Sequence, residues 1–124
     1  VLDTRHMVRL VEMSERAAVD FQPDSPVLRK AVIRGLLNAA CRQLSAASDD
    51  EGYYGALNLL DDATSRARAW GLTSSCAEIY FNEGVTWLSM GKDSQAKQCL
   101  QDYLDVAPAG GCAARARELL RQIQ

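Results

Sequence analysis

The chain has 124 residues, 48% hydrophobic and 24% charged, with 14 basic and 16 acidic side chains for a formal net charge of −2. That length suits one domain, residues 1–124, able to bury about two-thirds of its unfolded surface without help from disulfides or metal. The charges are mixed along the chain, which leaves no basic stripe for nucleic acid, and no apolar run approaches the roughly 18 residues of a membrane span.

In chain order, Met7, Val8, Leu10, Val11, Ala17 and Ala18 recur at helical period and predict a first amphipathic helix, from Asp3 or Thr4 to about Phe21, within residues 1–24. Gln22-Pro23-Asp24 ends it, and Ser25-Pro26 restarts the chain as N-cap and first-turn proline. The second helix runs to about Ala47. Its apolar residues, Val27 to Leu44, spread broadly around the helix, so it is expected to pack on more than one side. Residues 45–52 read as a loop whose Asp49, Asp50 and Glu51 suit the positive end of a third helix from Tyr53 to Trp70. Gly71 fits a left-handed C-cap, and Thr73-Ser74-Ser75 offers the N-cap of a fourth helix, Cys76 to Met90. Gly91 closes that one. Asp93 or Ser94 caps a fifth, Pro108 falls just beyond its end, and a sixth covers Cys112 to Ile123 within residues 111–124. Nothing alternates with period two, so the expected class is all-α, about six helices with short connections between antiparallel neighbours.

Catalytic chemistry is thin in this inventory. His6 stands alone near one end, Asp49-Asp50-Glu51 and Asp61-Asp62 lack the alternating spacing of a calcium loop, and Gly110-Gly111 has no Lys-Ser/Thr after it. No catalytic, cofactor or metal site is therefore expected, and no enzyme. Cys41, Cys76, Cys99 and Cys112 lie in or beside apolar helical patterns with no Cys-x-x-Cys. They read as reduced core thiols of an intracellular, cytoplasmic protein, with two disulfides as the alternative for an exported one. The opening at Val1, without a basic-then-apolar leader, reads as a boundary within a longer chain. Arg115, Arg117 and Arg121, with Arg66 and Arg68, form either a patch for an acidic partner or, with more weight, solvated helix faces.

The fourth helix matches the second: Asn82, Leu88 and Ser89 fall on Asn38, Leu44 and Ser45, and small Gly84 falls on Ala40. The fifth likewise matches the third, with Ala96, Leu100 and Asp102 on Ala56, Leu60 and Asp62, so residues 25–71 and 74–108 form two copies of one hairpin. In the second copy Tyr80, Gly84, Trp87, Gly91, Ala96, Leu100 and Pro108 stand at spacings that resemble the tetratricopeptide repeat family, whose period is about 34 residues. A related helical-hairpin solenoid with repeats of about 40 residues is the other reading. Small Gly84 and Ala96 mark where two helices approach closely. Tyr103 departs from the family pattern, which has a small residue there, and is expected to push its neighbour outward or lie partly exposed.

The resemblance implies a short right-handed superhelix of stacked hairpins, the last helix acting as a cap. It also implies a protein-binding role, as adaptor, scaffold or assembly subunit. The runner-up is a regulatory or oligomerisation module of a larger enzyme or signalling protein. Partners of the family lie on the concave face, matched here by Leu37, Cys41, Leu44 and Ser45 and by Phe81, Val85, Leu88 and Ser89. Those positions are mainly apolar, so they describe either a groove for a peptide or helix of another protein, or surfaces buried within the domain. Asn38 and Asn82 are added as candidate contacts. Asn82 matches one asparagine of the family's carboxylate clamp, but Leu37, Cys41, Cys112 and Ala116 occupy its other positions, so chaperone-tail binding is not expected. Self-association stays open.

Overall fold

Ser25 holds extended backbone and its hydroxyl accepts the Leu28 N–H at 3.4 Å, with Pro26 at the first helical position, so the Ser-Pro pair starts a helix as its chemistry demands. The computed structural model describes residues 25–123. They form α1 (Pro26–Ala46), α2 (Asp50–Ala69), a 3-10 turn (Ser74–Cys76), α3 (Glu78–Ser89), α4 (Asp93–Val106) and α5 (Ala113–Ile123), with no strand among the described residues. The helix expected before Phe21, and His6 with it, lie outside them.

Three helix starts differ from expectation, each for a local reason. Asp49 accepts the Gly52 N–H at 3.0 Å, which draws residues 50–52 into the first turn of α2 and places Asp50 and Glu51 at its positive end. Thr73 makes no side-chain cap; the chain instead tightens into the 3-10 turn, where the Cys76 N–H donates to the Thr73 carbonyl at 3.3 Å. Asp93 is the first residue of α4 rather than its cap. The glycine stops, by contrast, are as expected. Gly71 and Gly91 take φ of 70° and 72°, and the N–H of the residue after each glycine reaches back, Leu72 to Ala67 and Lys92 to Trp87.

α1 packs most extensively on α2, and α3 on α4, each pair joined by three residues, so the partners must run antiparallel. The junction between the hairpins is thinner: α2 meets α3, α1 touches α3, and α5 closes on α4. Equivalent positions of the two copies behave alike. Ala56 and Ala96 are both 0% exposed, and Leu60 and Leu100 are the large residues buried beside them. At Gly84 a Cβ would come within 2.9 Å of Leu100 Cγ and Cδ2, so the absent side chain is what lets α3 and α4 close. At the end of α2, the Trp70 ring lies beneath the guanidinium groups of Arg29 and Arg66, at 5.7 and 5.8 Å from its centroid.

Two core clusters result. One joins α1, α2 and the start of α3 through Ile33, Leu36, Leu60, Ala63, Cys76 and Ile79; the other gathers Ala77, Leu100, Tyr103, Ala116 and Leu119. Tyr103 is therefore core, at 3% exposure, which leaves out the second of the two outcomes expected for it, partial exposure. Space for it comes from Gly110, where a Cβ would collide with the phenol oxygen, and the buried hydroxyl is satisfied by the Cys112 N–H at 2.9 Å.

Candidate functional site

The eight candidate contact residues divide by depth. Leu37 is buried, and Asn38 and Ser89 are exposed, the Ser89 hydroxyl donating to the Val85 carbonyl at 3.1 Å. Phe81, Val85 and Leu88 are half-buried against the second cluster, and the Phe81 ring meets Tyr103 edge-on at 5.8 Å. Cys41 and Asn82 are brought together across α1 and α3: the thiol donates to Asn82 Oδ1 at 3.7 Å while Asn82 Nδ2 donates to the Glu78 carbonyl at 2.9 Å. Burial pushes the Cys41 thiol up, against the pull of Arg34.

The open space lies beside these residues and toward the start of α1. A cavity of about 290 Å³ is lined by Val27, Lys30, Ala31, Arg34, Leu37, Cys76 and Glu78, with Val27 left 76% exposed at its rim. Arg34 and Glu78 bridge α1 and α3 across it at 2.9 Å. A separate, shallower hollow of about 420 Å³ lies along α1 at Cys41, Arg42, Ser45 and Ala46. The first space thus lies between α1 and the start of α3, and the second lies along α1 alone. Most of the arginines noted in the sequence are engaged elsewhere: Arg66 with Asp62 and Trp70, Arg68 with the Tyr80 hydroxyl, Arg117 with the Pro108 carbonyl and Arg121 with Glu118.

One chemically distinctive group escaped sequence reasoning. Glu83 is only 9% exposed, on the stripe it shares with buried Ile79 and Thr86. Thr64 Oγ1 of α2 lies 2.7 Å from its Oε1, and the Cys99 thiol of α4 donates to its Oε2 at 3.8 Å. Burial pushes the carboxyl above the ordinary range, the Thr64 hydroxyl opposes this, and the Asp61 charge adds to it. Burial, with the charge of Glu83, pushes the Cys99 thiol up to about 12. The spacing of Ile79, Glu83 and Thr86 was the available signal, because it sets a carboxylate on an otherwise inward face. No family model, curated protein or solved structure matches the chain.

Proposed function

We propose that the chain is a tetratricopeptide-like helical-repeat module that binds another protein, as adaptor, scaffold or assembly subunit, and works by recognition rather than catalysis. In this reading about six helices stack as a short right-handed superhelix, with α1 and α3 as the first helices of successive hairpins. The matched burial of Ala56 with Ala96 and of Leu60 with Leu100 supports the repeat.

The observation that carries the reading is the groove along α1 and the start of α3, on the side where the resemblance places partners. Val27, Ala31 and Leu37 offer apolar contact there, and Lys30 and Arg34 flank it. An apolar anchor from a partner segment would take the exposed face of Val27 out of water, a gain of about 25 cal/mol per Å² covered. Leu37 lines this space, and Cys41 lines the shallower hollow farther along α1. Phe81, Val85 and Leu88 pack against the second core and do not line this space.

The test is affinity capture from native lysate by the wild-type chain, by Ala31→Glu in the groove and by Lys97→Glu on the exposed side of α4, read by mass spectrometry. A protein held by wild type and Lys97→Glu but lost with Ala31→Glu is the expected result. Capture unchanged by Ala31→Glu, in a variant with wild-type helicity and Tm, sinks the groove as the binding site. Light scattering on the same samples reports whether a second copy is the partner.

A further inference from the structure

The polar cluster between the hairpins has a bonding pattern that a single proton decides. Thr64 has one hydroxyl proton, yet its Oγ1 lies 3.0 Å from the Leu60 carbonyl oxygen and 2.7 Å from Glu83 Oε1. Both neighbours are acceptors when Glu83 is ionised, and one hydroxyl serves only one of them. The Leu60 carbonyl has no proton to bring. Glu83 has one when neutral: its O–H then donates to Thr64 Oγ1, the Thr64 hydroxyl donates to Leu60, and Oε2 accepts the Cys99 S–H at 3.8 Å. Every polar atom of the cluster is matched in that state.

The surroundings point the same way. From α2, Asp61 opposes a charge on Glu83 and Arg68, on an exposed side chain, favours it; from α4, Cys99 stays a neutral thiol. Arg34 of α1 is paired with Glu78, and Arg115, Arg117 and Arg121 of α5 are exposed. Burial outweighs these contributions. On ionisation the Thr64 hydroxyl can turn to the carboxylate and leave the Leu60 carbonyl to the helix's own amide proton; what is then left is a charge held almost wholly out of water between the hairpins.

We propose that Glu83 is a proton-operated joint between the two hairpins: as the neutral acid it fastens α3 to α2 through Thr64, and on ionising it loosens that junction. The thinness of the α2–α3 contact, beside the packing within each hairpin, makes the junction the part that yields. This inference does not depend on the partner-binding reading.

Two measurements on the full chain test it. Carboxyl ¹³C NMR, assigned through bonds, follows the titration of Glu83 itself; amide exchange in α2 and α3, corrected for its intrinsic pH dependence, follows the junction. In wild type the opening equilibrium rises up to about tenfold per pH unit from about 4.3, the ordinary glutamate value, and levels off at the native pKa of Glu83. In Glu83→Gln, whose amide N–H donates to Thr64 with no proton to lose, the profile is flat. A Glu83 carboxyl titrating at or below the ordinary value overturns the proposal, and so does a wild-type junction with the same pH profile as Glu83→Gln. The NMR arm stands even if the variant fails to fold.

Discussion

The hydroxyl of Tyr103 accepts the amide proton of Cys112 at 2.9 Å, tying the last turns of α4 to the residue that leads into α5. Tyr103→Phe keeps the ring against Phe81 and removes only this acceptor, so it should lower the unfolding free energy by about 1 kcal/mol, read as a lower urea midpoint at unchanged slope. Gly110→Ala drives a methyl group into the same hydroxyl and should cost about 1–3 kcal/mol. In the Tyr103→Phe background that cost should shrink. Strict additivity of the two changes would show that the phenol oxygen is not what excludes a side chain at Gly110.

Gly84 and Leu100 form a second pair of this kind. Alanine at Gly84 gains up to about 1 kcal/mol of helix propensity but meets Leu100 at 2.9 Å from two carbons, and the crowding of a fully buried leucine should win by about 1–2 kcal/mol net. Leu100→Ala alone should cost about 2–5 kcal/mol. Combined with Gly84→Ala it should cost less than the sum, because the new methyl group occupies part of the space vacated. Thermal unfolding of the four chains reads the coupling.

Glu83→Gln should be more stable than wild type at neutral pH, by about 1 kcal/mol, since it keeps the bond to Thr64 without a charge to desolvate. The sign follows from the raised native pKa. Stability contributed by the neutral acid is fully present below the unfolded value of about 4.3 and is lost as pH rises through the native value. The advantage of the variant should accordingly fade at low pH. Urea titrations from pH 4 to 8 check it, and an advantage that grows on acidification would contradict the assignment.

Cys99 should resist alkylation in the native state. With its thiol pushed up to about 12, the thiolate fraction at pH 8 is on the order of 10⁻⁴, roughly a thousandfold below that of a free cysteine. Iodoacetamide labelling with peptide mapping, before and after urea unfolding, should show Cys99 modified only in the unfolded chain. Rapid native labelling would mean that the thiol sits in a different environment.

Much of the fold was legible because its signals are local. Ser25-Pro26, Gly71 and Gly91 specify starts and stops through their own backbone chemistry, and Ala56, Ala96, Leu60 and Leu100 announce a repeated crossing by size alone. The full burial of Tyr103 was not legible because its space is made by Gly110, a residue on the far side of a turn that no helical period connects to it. The start of α2 moved for a similar reason: an Asp cap competes with a run of polar residues that otherwise reads as loop. The groove was harder still. Which of Leu37, Phe81, Val85 and Leu88 faces solvent depends on where α5 and the neighbouring hairpin lie, and helical phase fixes only that they share a side. Glu83 was passed over although its spacing from Ile79 and Thr86 sets it on an inward face, and the proton it needs is evident only from the distance to Thr64.

Ile79 and Phe81, two residues apart on α3, pack against different cores. α3 therefore works as a shared beam: neither hairpin can melt without stripping apolar contacts from the other. The described region should unfold in one cooperative calorimetric transition, and an excised α1–α2 piece, deprived of Cys76 and Ile79, should be a poor folding unit on its own.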